Sequence, residues 1–279
     1  MKVAVIGLGL IGGSIARDLT AAGHTVVGHD RSKASLRSAR RAGAVVEAIG
    51  ADFAGLESCD ACVLAVPVLD APRLLARAIK QLPASALITD VGSTKVSIVQ
   101  AAVRLGAADR FVGAHPFAGD HRSGWKASRR GLFAGVSVFL TPTRATRPAM
   151  LAKSRKLWRA VGGKPKVVSA TEHDALMAGA SHLPQLVSST LGASLLRAGV
   201  SRATLGRGGR DVTRLAGSDP RVWSAILLDN ADRIAPLARA NARLLAKFAQ
   251  ALDRGDGAAV RRLLTDSNRW FRAGPPAQA

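Results

Sequence analysis

The chain has 279 residues, 48% of them hydrophobic, and its 40 Lys and Arg residues outweigh 19 Asp and Glu residues to give a formal net charge of +21. That length suffices for one large domain or two modest ones, and the apolar content is typical of a globular protein rather than a disordered one. No apolar run approaches the roughly 20 residues that span a bilayer, and no signal-peptide cleavage pattern follows the first apolar residues. We therefore expect a cytoplasmic protein that does not bind a membrane.

The first part of the chain alternates short β-like runs with helical stretches. The predicted strands are residues 3–7, 25–30, 61–66, 86–90, 111–115, 136–141 and 166–169. The predicted helices are residues 9–22, 33–42, about 68–81, about 95–105 and about 147–161. Such alternation is typical of a parallel sheet with helices on both faces. We predict an α/β fold whose N-terminal domain, residues 1–168, is a Rossmann-type parallel sheet.

The pattern changes after residue 171, where no further β-like run occurs. Apolar residues recur with helical spacing over residues 172–196, 219–252 and 256–272, and glycines separate these stretches. We predict that residues 169–279 form an all-helical C-terminal domain.

The strong positive charge raises the alternative of a nucleic-acid partner. However, Tyr is absent and aromatic residues make up only 4% of the chain, which leaves little for base stacking. A basic field also attracts an anionic cofactor and an anionic substrate. We expect a small-molecule substrate and no nucleic acid.

The two cysteines, Cys59 and Cys62, form a lone CxxC before a buried-looking strand. A redox pair normally opens a helix, and no second CxxC or metal-spaced His pair is present. We predict two unpaired thiols and no metal site.

A glycine-rich loop, GLGLIG, follows the first predicted strand and opens the first predicted helix. In dinucleotide-binding proteins the first glycine of such a loop allows a tight turn, the second a close approach to the pyrophosphate, and the third close helix packing. The helix N-terminus also attracts phosphate. The residues expected to contact the cofactor here are Gly7, Leu8, Gly9, Leu10, Ile11 and Gly12.

Asp30 ends the second predicted strand, where a carboxylate would accept hydrogen bonds from the adenosine ribose hydroxyls. A carboxylate repels a 2′-phosphate, so NAD is favoured over NADP, although the adjacent Arg31 could pair with such a phosphate. Val66 and Pro67, at the end of a third strand, are also expected to contact the cofactor, because ligands gather at the carboxyl ends of the strands.

Ser93 follows one further predicted strand and His115 ends the next, so both should lie near the nicotinamide. Histidine suits general-base catalysis because its ordinary pKa lies near neutrality, although a structural role remains an alternative. His182 precedes a helix-interior proline, Pro184, that should kink its helix. The alternative for His182 is a structural histidine of the core. Arg214 can bind a carboxylate bidentately, and its alternative is an ordinary surface ion pair.

Taken together, these segments resemble the prephenate and arogenate dehydrogenase family of tyrosine biosynthesis. The motifs that carry the resemblance are GLGLIGGS (7–14), DVGSTK (90–95), GAHPFAG (113–119), LFAG (132–135), LTP (140–142), HD (173–174), SHLP (181–184) and GGRDVTRLAGSDPRVW (208–223). They occur in order along nearly the whole chain.

The resemblance implies oxidative decarboxylation of prephenate to 4-hydroxyphenylpyruvate, of arogenate to tyrosine, or of both. By that resemblance, His115 takes the proton of the ring C4 hydroxyl as hydride leaves C4 for the nicotinamide, and Ser93 orients His115. His182 and Arg214 correspond to substrate-binding residues, with Arg214 on a carboxylate, and Trp223 matches an aromatic residue near the site. The helical domain is expected to bind substrate and to form a homodimer.

Two residues depart from the family pattern. Asp120 stands where many relatives carry Thr or Ser, and Gln185 stands where many prephenate-using relatives carry His. Arogenate carries an ammonium that Asp120 could pair with, whereas prephenate has two carboxylates and no cation. We hypothesise activity on arogenate, alongside prephenate. We expect neither an appended regulatory domain nor a chorismate mutase segment.

Two other interpretations stay open. One is another Rossmann-type dehydrogenase, such as a 3-hydroxyacid enzyme; that class uses a Lys base in the helical domain, and no Lys lies between Thr171 and Lys247. The other is a non-catalytic protein that senses dinucleotides or binds nucleic acid, which the net charge motivates.

Overall fold

A computed structural model describes residues 1–119 and 122–274 of the chain. Within these ranges the strands are β1 (Lys2–Ile6), β2 (Thr25–His29), β3 (Glu47–Ala48), β4 (Ala61–Leu64), β5 (Leu87–Asp90), β6 (Phe111–Pro116), β7 (Ser137–Pro142) and β8 (Lys164–Val167). They form one sheet in the order β3-β2-β1-β4-β5-β6-β7-β8. Every neighbouring pair is parallel except β6 and β7, which are antiparallel.

The described helices connect the strands or follow the last of them. They are α1 (Leu10–Ala21), α2 (Lys33–Arg41), α3 (Ala71–Gln81), α4 (Val96–Arg104), α5 (Pro148–Ala160), α6 (Ala170–Met177), α7 (Leu183–Arg197), α8 (Arg207–Val212), α9 (Pro220–Asp229), α10 (Ala231–Asp253) and α11 (Gly257–Arg272). A π-helical turn, Ala178–His182, joins α6 to α7.

The central strands are buried on both faces, because their side chains alternate between two apolar layers. In β1, Val3 and Val5 pack into the layer that contains Leu19 and Trp158. Ala4 and Ile6, with the opposite orientation, pack into the layer that contains Leu75 and Phe111. Full burial of a Val, Leu or Ile side chain is worth about 1.5–3 kcal/mol, so these layers fix the register of the sheet.

The predicted α/β fold, with a mostly parallel sheet and a helical C-terminal part, is confirmed. The prediction was wrong in two details: β3 was not expected, and β7 runs antiparallel to β6. The physical reason is the connection from β6 to β7. Among its described residues it contains only a short 3-10 turn, Trp125–Ala127, and no crossover helix of the kind that a parallel pair needs.

The helices after β8 differ from the predicted ones in where they break. The predicted helix over residues 172–196 contains the π-helical turn, which directly precedes the first turn of α7 where Pro184 lies. The predicted helix over residues 219–252 is divided at Asn230 into α9 and α10. A π-helical turn thus precedes Pro184, and the kink expected from this proline stays a prediction. The break at Asn230 was not foreseen.

The chain divides into two compact units, Met1–Ala231 and Asp232–Ala279, the second described through residue 274. The first unit contains the sheet and helices α1 to α9; the second contains most of α10 and all of α11. The boundary predicted between residues 168 and 169 falls just after β8 and stays a prediction. None of the described helices combines the length and the apolar character that crossing a membrane requires.

Candidate active site

The glycine-rich loop joins β1 to α1 at the carboxyl end of the parallel strands. Gly7 has a φ of +95°, a left-handed conformation that favours glycine, and a Cβ atom there would collide with the Ala65 carbonyl. A Cβ atom on Gly12 would collide with the Gly7 carbonyl. Among the described residues, no atom lies within 4 Å of a Cβ atom built on Gly9. The tight turn and close packing predicted for this loop are present, and Gly9 leaves its backbone open to a ligand.

The N-terminus of α1 has the properties of an anion site. Its N-cap residue, Gly9, provides no side-chain hydrogen bond, and the first turn contains no acidic residue. The free amides and the positive end of the helix dipole therefore stay available to a phosphate. Leu10 and Ile11 are half-buried in this first turn, and Leu8 is fully buried beneath the loop.

Asp30 fastens the glycine-rich loop to the end of β2. One carboxylate oxygen accepts a hydrogen bond from the Leu8 amide at 2.6 Å, and the other accepts one from the Ser32 amide at 2.7 Å. Each oxygen retains a further lone pair that a hydroxyl group can use. Arg31 is exposed beside it, and Val66 and Pro67 follow the end of β4.

A buried ion pair joins the loops that follow β5 and β6. Lys95 pairs with Asp90, and its ammonium also donates to the Ala114 carbonyl at 2.9 Å. The Asp90 carboxylate accepts the amides of Gly92 at 2.8 Å and Ala114 at 3.1 Å. Burial lowers the pKa of Lys95, and the Asp90 carboxylate opposes that effect. Ser93 lies between Gly92 and Lys95. The Asp90–Lys95 pair therefore fixes the segment that contains Ser93 close to Ala114, the residue before His115.

His115, near the end of β6, begins a buried chain of hydrogen bonds. Its Nδ1 lies 2.8 Å from Nε2 of His173, and Nδ1 of His173 lies 2.7 Å from a carboxylate oxygen of Asp174. Burial lowers the pKa of His115 well below its usual value. The neighbouring charges of His173, Lys95 and His182 act in the same direction. His115 is therefore uncharged at neutral pH, in the form that can accept a proton.

The start of helix α6 determines where His173 and Asp174 lie relative to His115. Ser169 caps the helix, its hydroxyl accepting from the Glu172 amide at 3.1 Å while the Glu172 carboxylate accepts from the Ser169 amide at 2.9 Å. At the other side of the site, Asp174 accepts hydrogen bonds from the amides of Lys95 at 2.8 Å and Val96 at 2.9 Å. The helix cap at Ser169 and the hydrogen bonds to Asp174 therefore fix the positions of His173 and Asp174.

His182 is fully buried at the end of the π-helical turn. The side-chain nitrogen of Asn230 donates to the Asp174 carbonyl at 2.8 Å and lies 3.2 Å from Nδ1 of His182. Nε2 of His182 has no hydrogen-bond partner among the described residues. Burial lowers the pKa of His182 to about 4, so this imidazole is also neutral at pH 7. The ring of Trp223 lies edge-on to it, with 6.1 Å between the ring centroids.

Arg214 begins a 3-10 turn, Arg214–Gly217, and its side chain is exposed. Gln185, one turn along the helix from His182, donates to the Leu215 carbonyl at 2.8 Å and thereby anchors this turn. The Gln185 carbonyl accepts a hydrogen bond from Ser218 at 3.3 Å. Gln185, one of the two residues that depart from the family pattern, thus anchors the segment that contains Arg214.

The remaining predictions concern Ser93, Asp120, a metal site and the two cysteines. Ser93 is half-buried, and in the described part of the chain no hydrogen bond links it to His115, whose Nδ1 contacts His173 instead. Asp120 lies outside the described residues. Within the described ranges, no group of His, Cys, Asp and Glu side chains is arranged to hold a metal ion. Cys59 and Cys62 are buried free thiols, as predicted.

Five site residues had no predicted role: Asp90, Lys95, His173, Asp174 and Asn230. Four of them lie in motifs that sequence inspection isolates, DVGSTK and HD, so a signal was present without an assignable partner. The fifth, Asn230, has no local signal in the sequence.

The fold and this site define a class, a Rossmann-type nucleotide-binding protein with a buried, uncharged histidine at the carboxyl edge of its sheet. Comparisons with known proteins narrow the class. The family model described as "Prephenate dehydrogenase, nucleotide-binding domain" matches residues 15–167, and the one described as "Prephenate dehydrogenase, dimerization domain" matches residues 169–266. The chain belongs to the prephenate dehydrogenase family.

Individual relatives agree with this assignment. The chain is 33% identical over 241 residues to prephenate dehydrogenase of Bacillus subtilis, covering 83% of this chain and 65% of that protein. It is 32% identical over 244 residues to cyclohexadienyl dehydrogenase of Zymomonas mobilis, covering 84% and 83%.

Solved structures give the same result. The A. aeolicus prephenate dehydrogenase in complex with hydroxyphenyl propionate and NAD+ has a TM-score of 0.87 and 29% identity, with 98% of each chain covered. The Synechocystis arogenate dehydrogenase has a TM-score of 0.80 and 29% identity, with 98% of this chain and 99% of that one covered.

Proposed function

We propose that the protein catalyses NAD-dependent oxidative decarboxylation of prephenate, arogenate or both. The observation that carries this proposal is the buried chain from His115 through His173 to Asp174, at the same carboxyl edge of the sheet as the dinucleotide-type loop. A hydride transfer coupled to loss of a hydroxyl proton needs a proton acceptor near the dinucleotide, and we assign that role to His115. The names of the relatives support the substrate class.

The loop residues fit a dinucleotide. The open backbone at Gly9 leaves room for a pyrophosphate, and the carboxylate of Asp30 can accept ribose hydroxyl groups. That carboxylate would repel a 2′-phosphate, so we propose NAD rather than NADP, with Arg31 as the residue that would soften this preference. We place Val66 and Pro67 against the same ligand. When bound to these residues, NAD would supply the acceptor for the hydride that leaves ring C4 of the substrate.

The chain's own residues position the substrate and take its proton. His115 accepts the proton of the C4 hydroxyl, which allows the carbonyl to form and the carboxylate to leave as carbon dioxide. Ser93 hydrogen-bonds the same hydroxyl. Aromatisation drives the reaction, so the site needs few catalytic groups and acts chiefly by orientation.

We assign His182, Arg214 and Trp223 to substrate binding. Nε2 of His182, which has no partner within the described part of the chain, suits a substrate oxygen, and the exposed guanidinium of Arg214 suits a carboxylate. Asp120 is proposed to pair with the ammonium of arogenate, which would give activity on that substrate. A large preference for prephenate in the specificity constants would contradict this assignment.

We further propose that residues 169–279 form the substrate-binding and dimerisation domain of a homodimer. The description of the matching family model supports this proposal. Exposed apolar side chains on α11 support it as well, since Trp270 and Phe271 are each 79% exposed. The chain spans 65% of the length of its B. subtilis relative, so the activity proposed concerns the part that the two proteins share.

The test is turnover of the purified protein with NAD and either prephenate or arogenate, followed by NADH absorbance. Activity is expected with at least one substrate, and His115→Asn should reduce kcat by about 10²–10⁴-fold because the general base is lost. His24→Asn, which alters a histidine beside the N-terminus, is the matched control and should leave kcat unchanged. Absence of turnover with both substrates, or full activity of His115→Asn, would overturn the proposal.

A further inference from the structure

The hydrogen positions in the buried chain follow from its acidic end. Burial tends to raise the pKa of Asp174, but hydrogen bonds from His173 and from the amides of Val96 and Lys95 outweigh that effect and lower it. The carboxylate is therefore ionised and can only accept hydrogen bonds. His173 must place its proton on Nδ1 to donate to Asp174, which leaves a lone pair on Nε2. His115 then donates from Nδ1 to that lone pair, and its own Nε2 carries a lone pair.

The hydrogen positions at His182 follow from Asn230 in the same way. A backbone carbonyl only accepts hydrogen bonds, so the Asn230 atom that faces the Asp174 carbonyl is the amide nitrogen. That nitrogen is only a donor, and it also faces Nδ1 of His182, which must therefore accept. The proton of neutral His182 consequently lies on Nε2, the buried atom that has no partner among the described residues.

We propose that Asp174, acting through His173, and Asn230 are positioning residues that hold the two site histidines in opposite tautomers. His115 offers a lone pair at Nε2, and His182 offers an N–H at Nε2. The catalytic consequence of these tautomers rests on the proposed function. His115 takes the substrate hydroxyl proton, and His182 donates a hydrogen bond to a substrate oxygen.

Proton balance needs no further transfer along the chain. When Nε2 of His115 gains the hydroxyl proton, its Nδ1 proton stays in place and donates more strongly to His173. The positive charge on His115 is then stabilised by the polarised His173 and the Asp174 carboxylate behind it. Asn230 carries no charge, so it fixes His182 as a donor without favouring its protonation.

The tautomers can be read directly by ¹⁵N NMR of imidazole nitrogens in ¹⁵N-labelled protein, without turnover. The chain has six histidines, and single His→Asn variants assign the signals. At pH 8 we expect a protonated Nδ1 in His115 and a protonated Nε2 in His182. Asn230→Asp replaces a donor by an acceptor and should move the His182 proton to Nδ1. The same tautomer in both histidines, or an unchanged His182 in Asn230→Asp, would overturn the inference.

Kinetics give a second readout that a merely structural role would not move. His173→Leu removes the acceptor for His115 and should lower kcat about 10²-fold with little change in KM. His173→Gln keeps a carbonyl that can accept from His115 and should recover at least tenfold of that loss. Asn230→Asp should chiefly raise KM, whereas Asn268→Asp, the same change on exposed α11, should alter neither constant.

The two levels of proposal fail separately. An inactive wild-type protein with the expected tautomers would overturn the function and leave the positioning roles supported. An active wild-type protein in which His173→Leu and His173→Gln have equal kcat would overturn the positioning role of His173. If His173→Leu does not fold, the NMR of the wild-type and Asn230→Asp proteins decides the matter.

Discussion

Acidification should destabilise the fold through His182, the buried imidazole at the end of the π-helical turn. Burial lowers its pKa from 6.5 to about 4. Because the folded-state pKa lies below the unfolded one, the unfolded chain binds the proton more tightly in this range. The stability that neutral His182 contributes is therefore complete above pH 6.5 and is lost as the pH falls through 6.5 towards 4.

The size of the effect follows from the two pKa values. At about 1.36 kcal/mol for each pH unit between them, the limiting loss is about 3.4 kcal/mol. Between about pH 8 and about pH 4.5 the same values give a loss of about 2.5 kcal/mol in the free energy of unfolding. Natural domains have only about 5–15 kcal/mol in total, so this change is measurable.

The assay is urea unfolding of the wild-type protein and His182→Asn across that pH range. The variant has a constant offset from altered packing but lacks this titration, so the difference between the two proteins should shift by about 2.5 kcal/mol. Trp223→Phe, which alters the ring beside His182 without adding a titrating group, should run parallel to the wild type. A shift below about 1 kcal/mol would refute the reasoning, because His182 would then titrate as a solvated histidine.

Three further changes test the framework of the site. Lys95→Met leaves a buried carboxylate without its cation and should lower the free energy of unfolding by about 3–5 kcal/mol, against at most about 0.5 kcal/mol for exposed Lys126→Met, both measured in urea. Gly9→Ala should cost about 1 kcal/mol or less but weaken NAD binding at least about tenfold by calorimetry, whereas Gly7→Ala should also lower the Tm. Ser169→Ala removes the α6 cap and should cost about 1 kcal/mol in urea unfolding.

Each of these has a contrary result. Equal effects of Lys95→Met and Lys126→Met would mean that the buried ammonium contributes no net stability. Unchanged NAD affinity in Gly9→Ala would mean that the pyrophosphate does not approach this loop. A Ser169→Ala protein as stable as the wild type would mean that Glu172 or water caps α6 equally well.

The strand ends were predictable because their signals are local. GLGLIG before a helix, DVGSTK and GAHPFAG after apolar runs placed Ser93 and His115 correctly at the ends of β5 and β6. The direction of β7 was not predictable, because a strand has the same alternation whichever way it pairs. The two cases differ in the preceding segment, whose described residues contain no crossover helix of the kind that a parallel pair needs.

The partners within the site were not predictable, because they are remote in sequence. His115 and His173 are separated by 58 positions, and Asn230 lies 48 positions from His182. A motif identifies such residues, but only the fold determines which of them share a proton. Asp90 and Lys95 are only five positions apart in the sequence, but the backbone contacts that bury their ion pair come from Ala114 of β6.

The π-helical turn between α6 and α7 sets the angular phase of two histidines. His173 and His182 are nine positions apart, and in an uninterrupted α-helix nine steps of about 100° would point them to opposite sides. A π turn accommodates one extra residue, so the effective rotation is that of eight steps, which leaves them about 80° apart. Loss of one residue within Ala178–His182 would convert the π turn into regular α-helix with eight steps between the two histidines, so the angle between them would stay at about 80°. In alignments of related chains, a one-residue gap in this turn should therefore be treated as preserving the helical phase of the two histidines.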